Sequence, residues 1–270
     1  MVAFILNTRE FQSYFHTDMT GNYVFEEKDF DSALDHAIKN NHADVFVRLK
    51  PFMVSAHYEI YVTTAAKNGD LEFMKTFFPN PREEFLMTDR SGNNPIHNAA
   101  ITGQIEIVKY FLENTKGLTA FNEYRKTPLF YAVINGHLEI VKILMPNPKQ
   151  KFFKSIGTNR NNMIHIAACK GHAEIVKYFL GNTEGLVARN KYGDTPLYNA
   201  VIEQNLEVVN IIADTVPKKY ILELNYWGMN VIHIAAEKGF SKILENLCDK
   251  VSDPNVFDDF GNFPIHYAAK

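Results

Sequence analysis

Asn94-Pro95-Ile96-His97-Asn98-Ala99 is the first clear copy of a box that returns five more times. It reappears as Thr127-Pro128-Leu129-Phe130-Tyr131-Ala132, Asn162-Met163-Ile164-His165-Ile166-Ala167 and Thr195-Pro196-Leu197-Tyr198-Asn199-Ala200. The last two copies are Asn230-Val231-Ile232-His233-Ile234-Ala235 and Phe263-Pro264-Ile265-His266-Tyr267-Ala268. The second positions, 95, 128, 163, 196, 231 and 264, are separated by steps of 33, 35, 33, 35 and 33. Each box has the chemistry of a helix start. Asn or Thr caps it in five copies. Pro95, Pro128, Pro196 and Pro264 take the first helical position, where a missing N–H does no harm. Before the cap, Asp89-Gly92, Asn190-Gly193, Asn225-Gly228 and Asp258-Gly261 occupy the first and fourth positions of a type I turn. After the helix comes a Gly or Asn suited to a left-handed C-cap: Asn41, Gly69, Gly103, Gly136, Gly171 and Gly239. Gln204 holds this slot once and is expected to be unfavourable there.

Each unit closes with a second amphipathic helix. Glu106 to Leu112 and Glu174 to Leu180 have the same sequence, and Leu138 to Leu144 is close to it. Apolar residues recur at helical spacing with Glu and Lys on the other face. The first helices are thin, with pairs such as Ala99-Ala100, Ala167-Ala168 and Ala235-Ala236, so neighbours can approach closely. Bulkier second helices would then splay the stack and curve it.

A period near 33 carrying this box resembles the ankyrin repeat. The resemblance runs from about residue 30 to 270 and is strongest from Asp89. It implies an all-α solenoid of stacked helix-turn-helix units with β-turn or hairpin tips, the tips and first helices lining a concave face. It further implies a non-enzymatic scaffold or adaptor that binds a protein partner. In such stacks the box histidine bonds the turns, so His97, His165, His233 and His266 are expected as a structural ladder rather than as metal ligands. His137 and His172 have the same expected role.

The alternating step points to a two-repeat unit of 68 residues, with longer connections expected at 79–90 and 146–159 and no β-sheet beyond the turn tips. Residues 1–30 carry no box and are assigned to an N-terminal cap, with Phe4, Ile5, Leu6, Phe11, Tyr14 and Phe15 covering the end of the stack. Residues 31–88 hold degenerate repeats, 89–262 clear ones and 263–270 an incomplete last one. Tyr61 to Phe77 keeps Ala65-Ala66 and Gly69, while Ala33 to Leu49 keeps Ala37, Asn41 and His42. Met1 to Leu6 is too short, and lacks a preceding basic residue, for a signal peptide. Half a repeat at the end leaves an apolar face open. This raises the alternative of a recognition arm cut from a longer protein: an enzyme, a channel or a host-directed bacterial effector.

Composition narrows the chemistry. The chain has 270 residues and a formal charge of -3 with no long run of one sign, which argues against nucleic acid or an anionic membrane as partner. No stretch approaches the ~18 apolar residues of a membrane span. Cys169 and Cys248 form no pair at metal spacing, and there is no Asn-x-Ser/Thr sequon, so a reducing compartment such as the cytoplasm is expected. Glu26-Glu27 and Glu83-Glu84 read as solvated surface, and Cys169 with His172 lacks a third group to orient it as a nucleophile. No phosphate loop, Gly-x-Ser-x-Gly or His-Glu-x-x-His occurs. No catalytic residue, cofactor, metal or small-molecule substrate is expected.

Function is sought at the turn tips. Thr88, Arg90, Ser91, Asn93, Phe121, Glu123, Arg189, Asp194, Leu224, Met229, Phe257, Asp259 and Asn262 belong to this edge, with Phe121, Leu224 and Phe257 also candidates for packing between turns. The expected protein-binding set is Arg90, Tyr124, Lys126, Lys191, Tyr192, Tyr226, Trp227 and Phe260. Aromatic residues and arginine dominate interface energies, and Trp227 is the chain's only Trp.

Overall fold

Five of the six boxes, all but the one at Phe263, begin a helix with a cap oxygen that satisfies a free backbone donor. Asn94 and Asn162 accept from the N–H of His97 at 3.0 Å and of His165 at 2.9 Å. Thr127 and Thr195 do the same for Phe130 and Tyr198. The computed structural model describes residues 16–17, 23–24, 32–33, 36, 55–80, 88–113, 115–148 and 159–269. They divide between two compact units, Met1–Glu123 and Tyr124–Lys270.

In the first unit, α1 (Ser55–Asn68) and α2 (Leu71–Phe77) form a degenerate helix pair, followed by α3 (Pro95–Thr102) and α4 (Ile105–Tyr110). Phe77, Phe78 and Phe111 are fully buried between the second helices, with the rings of Phe78 and Phe111 edge-on at 5.6 Å. α5 (Thr115–Thr119) follows. The expectation of no sheet outside the tips is corrected by a two-residue antiparallel pair, β1 (His16–Thr17) with β2 (Tyr23–Val24). This pair precedes the repeats. The proposed cap residues from Phe4 to Phe15, the acid pairs, and nearly all of Ala33 to Leu49 lie outside the described residues.

The second unit repeats the design: α6 (Pro128–Ile134), α7 (Leu138–Leu144), α8 (Met163–Cys169), α9 (Ala173–Phe179) and α10 (Thr183–Leu186). It continues with α11 (Pro196–Ile202), α12 (Leu206–Thr215), α13 (Val231–Glu237), α14 (Ser241–Asp249) and α15 (Pro264–Ala268). First helices pack on first helices and second on second: α8 on α11, α13 on α15, α9 on α12. The thin Ala-rich faces permit this, with Ala167, Ala200 and Ala235 fully buried. The Tyr178 hydroxyl donates to the Met145 carbonyl at 2.7 Å, tying successive second helices.

The glycines expected at helix ends are left-handed, and Gln204 is too, at φ 57°. The long connections expected at 79–90 and 146–159 lie largely outside the described residues. The corresponding one after α12 is described, and there the extra length enters the helix: α12 has 10 residues where α9 has 7. A 3-10 turn at Lys218–Tyr220 follows. The last half-repeat leaves apolar surface uncovered, as expected. Ile265 is 66% exposed, while four of its five equivalents, Ile96, Ile164, Leu197 and Ile232, are buried and Leu129 is partly exposed.

Candidate functional site at the turn tips

A tip is a five-residue turn wrapped around one carboxylate or amide. Asn225 Oδ1 accepts the N–H groups of Trp227 at 3.0 Å and Met229 at 3.1 Å, and the Gly228 N–H returns to the Asn225 carbonyl at 3.0 Å. Asp89, Asn190 and Asp258 do the same in their tips. This explains the need for Asp or Asn: a short side-chain acceptor can reach two N–H groups of its own turn.

Neighbouring tips are laced by backbone bonds. In the second unit the N–H of Lys191 donates to the Asn159 carbonyl at 3.0 Å, and that of Tyr226 to the Tyr192 carbonyl at 3.0 Å. The Asp259 N–H donates to Gly228 at 3.3 Å. Side chains add a parallel set: Asn190 Nδ2 donates to Asn161 Oδ1 at 3.0 Å, and Asn225 Nδ2 to Asp194 Oδ1 at 2.9 Å. In the first unit Asn122 donates likewise to Asn93 at 2.7 Å. Asn93 and Asp194 are therefore not free tip positions as expected. Both are buried acceptors for the next tip, and burial raises the Asp194 carboxyl above its ordinary range.

The box histidines complete the lacing. His165 Nε2 lies 3.0 Å from the Asp194 carbonyl, and His233 Nε2 lies 3.2 Å from that of Asn262. A carbonyl can only accept, so Nε2 carries the hydrogen and Nδ1 takes the N–H of the capping residue, Asn162 or Asn230. Burial pushes His165 down to about 4, against a smaller upward pull from the Asp194 carbonyl. His233 is lowered for the same first reason. His172 donates to the Ile134 carbonyl at 3.0 Å. These contacts bind repeat to repeat through backbone, as the ladder reading expects.

On this frame the expected site residues fall into groups. Tyr192 and Trp227, from adjacent tips, stack with ring centroids 5.3 Å apart and planes 22° apart. Lys191 Nζ lies 4.7 Å from the Tyr192 ring centre. Trp227 is still 53% exposed, so one broad face remains open beside Tyr226 at 67% and Phe260 at 77%. Tyr124 is also exposed at its own tip, and Arg90 is exposed in the first unit. Lys126 differs: its ammonium sits 4.1 Å over the Phe130 ring, half-buried, and burial lowers its pKa. Arg189 is tied down. It donates to the carbonyls of Gly193 and Leu224, pairs with Glu223 and covers Tyr226. Phe121 and Phe257 stay exposed; Phe257 stacks on Phe263 at 4.3 Å, and Leu224 is partly buried.

A family model for ankyrin repeats, in blocks of three copies, matches residues 62–155 and 149–221. The chain belongs to the ankyrin repeat family. Among solved structures it is similar to the human ASB11 ankyrin repeat domain, with a TM-score of 0.64 at 20% identity, covering 77% of this chain and 91% of that one. At that identity the likeness concerns the fold. An L-asparaginase of Dirofilaria immitis is 25% identical over 206 residues, which is 76% of this chain and 28% of the asparaginase. An ankyrin repeat protein of fowlpox virus (strain NVSL) is 27% identical over 107 residues, covering 40% of this chain and 73% of the viral protein. Thus the chain spans little more than a quarter of the asparaginase's length. Ankyrin repeats are generally protein-protein interaction modules.

Among the described residues no helix of this ankyrin stack is long and apolar enough to cross a membrane. Two further features were not expected. Arg125 and Arg160 take the left-handed slot that glycine fills in the other tips, at φ 56° and 57°. The short helices α5 and α10 place the Gly117 and Gly185 carbonyls to accept from the caps Asn94 at 3.0 Å and Asn162 at 2.9 Å. Repeated Asn-Thr-x-Gly-Leu at 114–118 and 182–186 is the signal that could have found them.

Proposed function

We propose that this chain is a non-enzymatic scaffold or adaptor whose turn-tip edge binds a protein partner along the concave face of the ankyrin stack. The observation that carries the reading is the Tyr192–Trp227 pair, pre-stacked yet half open to solvent. Paired rings held by their own frame lose little side-chain freedom on binding, which favours them as anchors. Tyr226 and Phe260 extend the apolar edge, and Lys191 supplies charge beside it. Two free thiols, Cys169 and Cys248, fit a reducing compartment such as the cytoplasm. The test is affinity capture with the chain as bait, then titration of the captured protein against wild type and Trp227→Ala. Trp227→Ala should cost about 2 kcal/mol or more of binding. Its stability cost should stay near ~1 kcal/mol, the worth of one exposed ring pair. Unchanged affinity with a large fall in melting temperature would make Trp227 a packing residue only.

A second reading is that the stack is the recognition arm of a longer protein, such as an enzyme, a channel or a host-directed effector. The match to only 28% of the asparaginase favours it. Sequencing the transcript on both sides tests it: stop codons flanking the present residues would remove it.

A further inference from the structure

Three exposed cations sit on successive tips of the second unit. Arg125 and Arg160 share one slot in the tips before α6 and α8, and Lys191 follows in the tip before α11. The Lys191 backbone is bonded to Asn159, immediately beside Arg160. Neither arginine makes a hydrogen bond, ion pair or ring contact among the described residues, and both are exposed. By contrast, Lys142 and Lys177 on second helices are paired, with Glu139 at 2.7 Å and Glu174 at 2.6 Å. Arg189 is paired with Glu223.

The two arginines also hold a backbone conformation that favours glycine. The same slot carries Gly193, Gly228 and Gly261 in the three later tips. An L side chain there is disfavoured by its own Cβ. Among the described residues neither side chain makes a contact that accounts for arginine in its tip.

Beyond Lys191 the character of the edge changes. Tyr192 stands beside Lys191 in the same tip, and the two following tips present Tyr226 with Trp227 and then Asp259 with Phe260. Cations are therefore concentrated in the earlier tips of the second unit and exposed aromatic side chains in the later ones, with Tyr124 beside Arg125 as the exception.

Resting on the proposed function above, we infer that the partner segment at this edge is an acidic peptide followed by apolar residues. Its carboxylates pair with Arg125, Arg160 and Lys191, and its apolar part lies on Tyr192 and Trp227. Guanidinium groups match carboxylates in two-point hydrogen bonds, and unpaired ones lose no internal partner on binding. A single-stranded nucleic acid would also use cations and rings. Exposed Asp259 in the last tip and the formal charge of -3 disfavour a continuous polyanion along the edge, whereas a short acidic segment needs only the earlier tips.

The only Trp reports on this site, so the whole chain can be titrated by its fluorescence. Three synthetic peptides serve as probes: a run of glutamates followed by alternating leucine and serine, the same with lysines for glutamates, and the same with serines. An oligothymidylate is the fourth probe. The acidic peptide should bind at least about tenfold more tightly than the other three and weaken with added salt. Arg125→Gly with Arg160→Gly should reduce that affinity about tenfold, while the melting temperature holds or rises because the backbone strain is relieved. A purely structural role for the arginines would lower the melting temperature and leave affinity alone. Equal binding of the three peptides would overturn the acidic preference and leave the tip site standing. Preference for the oligothymidylate would overturn the peptide. No response to any probe would overturn this inference, while capture of a partner sensitive to Trp227→Ala would still uphold the site.

Discussion

At the residue scale the repeat gives an internal control, because one slot holds different side chains in one fold. Gln204 sits left-handed where Gly136, Gly171 and Gly239 do the same work. The left-handed region costs an L residue roughly 1–2 kcal/mol, and glycine gives back about half of that through unfolded-state freedom. Gln204→Gly should therefore stabilise by about 0.5 to 1 kcal/mol in urea unfolding, with no change in the slope. A loss of stability would mean that the glutamine side chain contributes a contact. This slot was legible in the sequence because the conformation itself demands glycine. The role of Asp194 was not. A polar residue between a tip glycine and a cap looks solvated, and its burial depends on Asn225, 31 residues later. A pairing at that distance leaves no local signature in one sequence.

At the element scale, helices marked by a cap, Pro and period were readable in sequence, while α5 and α10 were not. Four or five residues with an internal glycine have no helical period to detect. They are helical in this setting because the preceding cap side chain takes the glycine carbonyl. The fifth repeat lacks that partner: Asp253-Pro254 replaces the Gly-Leu step, and buried Asn230 Nδ2 has no acceptor. The tips likewise depend on near contact between elements. A Cβ on Gly193 would lie 2.8 Å from the Tyr226 nitrogen and 2.8 Å from its ring, at φ 80°. Gly193→Ala should thus break the Tyr226-to-Tyr192 backbone bond and part the Tyr192–Trp227 stack. The expected cost is about 1–3 kcal/mol, with a shift in Trp227 fluorescence below the melting transition. An unshifted spectrum would show that the tips tolerate the methyl group and that the stack does not rely on this close approach.

At the scale of the whole molecule, the same histidine lacing that joins repeats makes cohesion depend on pH. His165 is neutral in the fold with its pKa pushed down to about 4, whereas an unfolded histidine titrates near ~6.5. Between those values the unfolded chain binds a proton that the folded chain refuses. Stability therefore rises with pH in that window: it is fully present above about 6.5 and is lost as pH falls toward 4. The full span corresponds to roughly 3 kcal/mol for His165. His233 is shifted in the same direction and adds to the loss. Asp194 acts oppositely, since its raised carboxyl takes up a proton in the fold more readily than when unfolded. Its offset belongs to the acid end of the window, so the histidine effect should be clearest between pH 7 and about 5. Urea unfolding across that range should show stability falling with acidification. His165→Gln, which keeps a donor toward the Asp194 carbonyl but cannot titrate, should flatten the fall by up to about one proton's slope. If wild type and His165→Gln have the same pH slope, the acid sensitivity of this ankyrin stack arises elsewhere, and the ladder histidine is already able to accept a proton where it sits.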